Sequence, residues 1–186
     1  LSNAGVAETY GAELEVFWFP TETLDVTLGY AYNHGEYADF EAGDCWIGTP
    51  WHTGMEDPGM LENGSCDRSG GDISSNPENV LVLTGNQRFS LSDSLSGFVY
   101  GEYIYTGSRM TDVNNDPEKE DGSYNLFNLR AGLVYEPWGA EVVLWGRNLF
   151  DEEYVTTIAD KVAQDGNFVA YPTPTTTWGI TARKNF

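Results

Sequence analysis

Apolar and polar residues alternate along this chain with a period of two. Leu24, Val26, Leu28, Tyr30 and Tyr32 interleave with Asp25, Thr27, Gly29, Ala31 and Asn33. The runs Phe127, Leu129, Ala131, Leu133, Tyr135 and Trp178, Ile180, Ala182, Lys184, Phe186 behave the same way. Side chains on a strand point to opposite faces in turn, so each run has one apolar face and one polar or small face. The pattern predicts an all-β chain of about seven strands, over about 9–20, 24–35, 79–91, 95–110, 124–136, 140–156 and 168–185. Several exceed the roughly 5–6 residues usual in globular sheets, and they suit the roughly 9–11 that a tilted strand needs to cross a bilayer. No segment predicts a helix.

The connections alternate in length. Pro20-Thr21-Glu22-Thr23, Ser92-Asp93-Ser94 and Glu136-Pro137-Trp138-Gly139 are tight-turn material, whereas about 36–78, 111–123 and 157–167 are long. An antiparallel up-and-down meander with short turns at one end and long loops at the other is the layout of an outer-membrane β-barrel. Phe17, Trp18, Phe19, Tyr135 and Trp138 lie near the short-turn ends of their strands. Tyr30, Tyr32, Tyr37, Tyr103, Tyr105, Tyr154 and Tyr171 lie toward the long-loop ends. Two such clusters resemble the aromatic girdles of a membrane wall. A soluble β-sandwich that stacks these rings in its core is the competing reading.

Charge changes the picture further. The chain has 29 acidic and 9 basic residues, a formal charge of −20. General electrostatic binding to nucleic acid needs the opposite sign, so it is excluded. The segments 36–78, 111–122 and 151–165 hold twenty of the acids and three of the bases, which places −17 of the −20 on one side of the meander. No stretch of 18 apolar residues reads as a transmembrane helix. Leu1-Ser2-Asn3-Ala4 reads as the remnant of a cleaved expression tag, which leaves 5–186 as one structural segment.

The run Trp145-Gly146-Arg147-Asn148-Leu149-Phe150-Asp151-Glu152-Glu153-Tyr154 resembles the Asn-Leu-Phe-Asp…Tyr signature on the penultimate strand of TonB-dependent outer-membrane receptors. The closing run from Pro172 to Phe186 resembles that family's last strand, and Tyr103–Arg109 and Gly11–Glu15 are further similar stretches. The resemblance implies the C-terminal portion of a barrel of about twenty-two strands whose lumen is filled by an N-terminal plug. It implies a receptor that is not an enzyme and has no cofactor of its own, importing an iron–siderophore complex, haem, cobalamin or a glycan. It implies outer-membrane lipid around the wall, TonB acting only through the plug, and Phe186 read by the barrel assembly machinery. Seven strands is an odd number, whereas bacterial single-chain barrels are even, which fits a part of a larger wall. With the short turns periplasmic, the C-terminus ends in the periplasm and the long loops are extracellular. Such a part leaves open sheet edges and is expected to self-associate through them.

Within this frame the chemistry-bearing residues are few. Cys45 and Cys66 are the only cysteines, and an even count in an oxidising compartment points to a disulfide, which would stabilise by about 3 kcal/mol through loop closure. A zinc site with His34 and His52 is the rival, although the spacing matches no short metal-ligand motif. Asp112, Asn114 and Asp116 open like a calcium loop, but Pro117 and Ser123 stand where Gly and Glu belong. Trp46, Trp51 and His52 are the ligand-contact candidates of the first loop. Arg109, Arg130 and Arg147 are expected to pair with Glu102 or Glu141 on the wall. Two rival functions remain, a calcium-assisted carbohydrate-binding sandwich and a small barrel enzyme, the latter without a catalytic constellation in view.

Overall fold

The computed structural model describes residues 5–47, 54, 56–162, 164 and 166–185. Its strands are β1 (Val6–Thr21), β2 (Leu24–Asp39), β3 (Asn79–Ser92), β4 (Leu95–Thr106), β5 (Arg109–Met110), β6 (Glu120–Asp121), β7 (Tyr124–Tyr135), β8 (Ala140–Arg147), β9 (Val155–Asp160), β10 (Phe168–Pro172) and β11 (Thr177–Lys184). Seven of them form one antiparallel sheet in the order β1-β2-β3-β4-β7-β8-β11. β1 and β11 do not pair with each other, so the sheet is open. The β-sandwich reading is thereby corrected: among the described residues there is one long meander, and the remaining strands form only the two-stranded pairs β9–β10 and β5–β6.

Three of the long strands expected from the sequence are broken. The 95–110 run stops after Thr106: the Gly107 N–H still reaches the Asn79 carbonyl in register, and Arg109–Met110 then leaves β3 to pair with β6 as β5. The 140–156 run stops at Arg147, where Asn148 and Asp151 take left-handed backbone (φ 49° and 56°). The 168–185 run is split between β10 and β11 over Thr173-Pro174-Thr175-Thr176. A proline carries no ladder donor, and one stands on each side of Thr173. The expected loop 157–167 holds most of β9, which forms a hairpin with β10.

Register fixes the two faces. One row across all seven strands is Trp18, Val26, Gly85, Gly101, Leu129, Gly146 and Trp178. The row one residue away, on the opposite face, runs Asp25, Asn86, Tyr100, Arg130, Trp145 and Gly179. Strand charges such as Glu13, Asp25, Arg88, Glu102, Arg130, Glu141, Arg147 and Arg183 therefore share the polar face. The other face carries Leu14, Val16, Leu83, Leu133, Val142, Leu144 and Ile180, all exposed. The alternation also corrects the girdle: Trp18 is on the apolar face, but its neighbour Phe17, paired with Thr27, is on the polar one.

Packing is unevenly distributed. The sheet is accessible on both sides, while Tyr37, Phe40, Trp46 and Cys66, the buried apolar residues among those described, all lie at its loop end, Tyr37 still within β2 and the other three in the connections beyond it. So do the buried polar residues Asp57, Arg68, Thr111, Asn114, Asp116, Lys119 and Asp121. The long connections thus fold into a cap with its own core. Tyr37 and Tyr154, counted above with the girdle, belong to this cap: Tyr37 packs on Phe40 and Tyr154 stacks on Tyr124 with centroids 4.0 Å apart.

Candidate functional site

The cap is built from three segments that are far apart in sequence. In the first, Cys45 and Cys66 form a disulfide. Asp57 lies beside it and completes a group of potential metal donors. Both sulfurs are bonded to each other, so that group cannot act as a thiolate site. The Asp57 carboxylate instead holds Arg68. Nη1 donates to Oδ1 at 2.9 Å and Nη2 donates to Oδ2, with the two side chains 0% and 4% exposed. The backbone N–H groups of Trp46 and Gly59 donate to the same carboxylate, each at 2.9 Å. Burial alone pushes this carboxyl up. The Arg68 and backbone hydrogen bonds favour the ionised form more strongly and hold it below the usual carboxylate range.

This lowering has a consequence for pH. A carboxyl depressed by folding contributes stability above its unfolded value of about 3.9 and loses it as pH falls through the folded value. Amide-exchange protection of the first cap segment is therefore expected to stay level from about pH 7 to 5 and to fall below about pH 4. Mass-spectrometric hydrogen exchange checks this. Protection lost already near pH 6 would assign the cap's stability to another group.

Trp46 links the first segment to the second. Its indole N–H donates to the Asn114 carbonyl at 3.0 Å, and Arg68 lies over its ring at 5.6 Å. It is about nine-tenths buried. The ligand-contact expectation for Trp46 is therefore replaced by a place in the cap core; Trp51 and His52 lie outside the described residues. His34, the other zinc candidate, instead faces Glu78 at 2.6 Å.

Lys119 links the second segment to the third. Its side chain is fully buried, and its ammonium lies 2.6 Å from both Asp112 and Asp160, with the Phe168 ring 5.8 Å away. The oxygens of the expected calcium loop are thus engaged internally. Asp112 holds Lys119, Asn114 accepts the Asp116 N–H, and Asp116 caps the short Pro117–Lys119 turn through the Glu118 N–H. Arg109 makes a second such tie, 3.0 Å from Asp121 and donating to the Val155 carbonyl at 2.8 Å. Its expected wall pairing with Glu102 or Glu141 is corrected accordingly.

The Asn-Leu-Phe-Asp run is the hinge between cap and sheet. Asn148 is buried, and its side chain both accepts from the Glu152 N–H and donates to the Glu152 carbonyl at 2.9 Å. Its own N–H donates to Asn128 on β7. Thr176, just before β11, donates its hydroxyl to the Asn148 carbonyl at 2.6 Å and its N–H to Asp151 at 2.9 Å. Leu149 bonds back to Phe127, Phe150 meets the Phe127 ring edge-on, and Tyr154 stacks on Tyr124. Asn is tolerated in left-handed backbone where most residues are strained, and its short amide closes the turn. Asn148→Ala is expected to cost about 2–3 kcal/mol of local stability, and Asn148→Gly less, since glycine keeps the backbone and loses only the side-chain bonds. Exchange protection of 148–154 in the two variants reads the difference. Equal losses would remove the backbone part of the argument. Phe186, the expected assembly signal, lies outside the described residues.

Three features were missed by sequence reasoning: the Asp57–Arg68 pair, the Lys119 bridge and the Arg109–Asp121 pair. Isolated cations inside strongly acidic loops are the signal that could have found them.

Residues 1–149 match the family model described as TonB dependent receptor-like, beta-barrel. A search of curated proteins found no match. Among solved structures, the ferric yersiniabactin uptake receptor FyuA from Yersinia pestis superposes with a TM-score of 0.75 at 17% identity, over 99% of this chain and 24% of that one. The siderophore receptor PiuA from Acinetobacter baumannii gives 0.62 at 18%, over 95% and 21%. The ferric-catecholate import receptor Fiu from E. coli K12 gives 0.60 at 19%, over 95% and 20%. The chain thus spans about a quarter or less of the length of these receptors.

Proposed function

Because the chain belongs to the TonB-dependent receptor β-barrel family, we propose that it supplies wall and extracellular cap to an outer-membrane importer of an iron chelate. The observation that carries this is the pairing of an apolar outer face and a charged inner face on one open meander, with a packed, acidic cap at one end only. The apolar face suits lipid, and the charged face suits an aqueous or protein-filled lumen. The cap then faces the medium, and the short turns and C-terminus face the periplasm. The solved neighbours, two named for ferric chelates and one for a siderophore, support the ligand class over haem, cobalamin or glycan. TonB acts through a part of the receptor outside residues 1–186, and Phe186 serves barrel assembly.

Uptake of radiolabelled iron complexes by cells expressing the full-length receptor tests the reading. Accumulation from a ferric siderophore, abolished without TonB, is expected. Transport of haem or cobalamin with no siderophore uptake would overturn the ligand class while leaving the wall and cap intact.

A further inference from the structure

Lys119 is enclosed far more completely than an ordinary surface ion pair. Its side chain is 0% exposed, and its Nζ lies 2.6 Å from Asp112 and 2.6 Å from Asp160, with the Phe168 ring 5.8 Å away. An amine that gives up its proton is a nucleophile, and the carbon of a protonated carboxyl group is an electrophile for it. Exposed lysine–aspartate pairs stay ionic because water solvates both charges and both side chains wander. Here the amine is cut off from water and cannot wander.

The backbone fixes the two partners relative to each other. Thr111 is buried and donates its N–H at 3.0 Å and its hydroxyl at 2.8 Å to the Lys119 carbonyl. The same hydroxyl accepts the Ile158 N–H at 3.1 Å, two residues before Asp160 on β9. Asp160 is in turn held opposite Phe168 in the β9–β10 hairpin. With Oδ2 at 2.6 Å, the Asp160 carboxyl carbon lies within roughly 4 Å of Nζ, a small rotation from the roughly 3–3.5 Å of a near-attack pair. The two carboxylates differ in ways that assign roles. One oxygen of Asp112 accepts the Val113 N–H at 2.7 Å, which anchors the group while its other oxygen faces Nζ. Asp160 has no side-chain donor but Lys119 among the described residues, and it is the less exposed of the two, 19% against 30%. Both line a cavity of about 270 Å³, an exit for a released water.

We propose that Lys119 and Asp160 condense to an isopeptide bond, with Asp112 as the proton relay. The ammonium passes one proton through Asp112 to the Asp160 carboxylate, which leaves a neutral amine and a neutral acid. The Nζ lone pair then attacks Cγ of Asp160. A second proton moves from the nitrogen through Asp112 to the departing hydroxyl, the C–O bond breaks and water leaves. One ammonium and two carboxylates become an amide, a water and one carboxylate, so charge balances and no oxidant or cofactor takes part. The product relieves the cap of two charges held away from water. The ion-paired arrangement is the state before condensation. The bond ties the second cap segment to the β9–β10 hairpin covalently, as the cystine ties the first segment to itself. It stands whichever chelate is imported.

The test uses the full-length receptor, purified from outer membranes, denatured and digested with trypsin. A bond at Lys119 blocks cleavage there. Residues 110–130 and 148–161 are therefore expected as one joined species, lighter than the sum of the two peptides by one water, about 18 Da. Fragmentation should place the link between 119 and 160. Free 110–119 and 148–161 with no joined species overturn the proposal. Water lost inside 110–130 alone also overturns it, since Lys119 would then be joined to Asp112. Lys119→Arg keeps a cation between the carboxylates but cannot condense, and only unlinked peptides are expected from it. Asp112→Asn keeps both reacting groups and removes the relay. It is expected to slow joining about a hundredfold in a pulse–chase, within what a positioned acid–base group supplies. Joining at the parent rate in that variant overturns the role of Asp112, and if either variant fails to assemble, the parent digest decides alone.

Discussion

Arg68→Leu in the full-length receptor is expected to unfold the first cap segment while leaving the sheet intact. Asp57 is buried, and the guanidinium supplies two of its four hydrogen-bond partners. Removing one member of a buried ion pair costs about 3–5 kcal/mol, because the remaining charge stays out of water without its counterion. The cap has few other buried apolar residues with which to absorb that loss. Hydrogen exchange of 40–68 should therefore approach that of unfolded chain, with β2–β4 unchanged. The double variant Asp57→Leu/Arg68→Leu separates charge from packing. Replacing both partners by apolar residues is often close to neutral, so it should recover much of the protection. No recovery would show that the pair acts through shape rather than charge.

Lys119→Met is the second large effect. Its ammonium is the sole cation between Asp112 and Asp160 among the described residues, and it ties the second cap segment to the β9–β10 hairpin. Methionine keeps the volume but leaves two carboxylates facing each other. Both retain some solvent contact, with side chains 30% and 19% exposed, so the cost is expected at about 2–4 kcal/mol, below the Arg68 case. The hairpin should lose exchange protection and become sensitive to protease near 161–167, while the first segment stays protected behind its disulfide. Equal loss in both segments would mean that the cap unfolds as one unit and Lys119 is not a local tie.

The sheet was legible because its signal is repeated. Alternation over ten or more residues is hard to produce by accident, and tight turns such as Ser92-Asp93-Ser94 punctuate it. What escaped was the place where strands stop. Arg147 continues the pattern into Asn148, and only the left-handed backbone at Asn148 shows that the chain has turned. The cap was less legible still. Its segments have no period, and its ties join residues far apart in sequence, as with Lys119 and Asp160 or Trp46 and Asn114. The cystine could be read because only two cysteines exist. Trp46 was misplaced for the opposite reason: a tryptophan in a long acidic loop reads as exposed, and nothing local reveals that Arg68 and Asn114 cover it. The acidic charge was located correctly along the chain, but three of its carboxylates hold buried cations and so organise the cap rather than only decorating its surface.

The account depends most on the two faces of the sheet, and β8 tests them in four consecutive residues. A single environment-sensitive fluorophore is placed in turn at Val142, Val143, Leu144 and Trp145 of the full-length receptor in lipid bilayers, with quenchers on the acyl chains. Quenching at 142 and 144 and none at 143 and 145 is the predicted result, since register puts the first pair with Leu133 and Ile180 and the second with Gly132 and Gly179. Quenching at 143 and 145, or at all four positions alike, would contradict the assignment of the apolar face to lipid and of the charged face to the lumen.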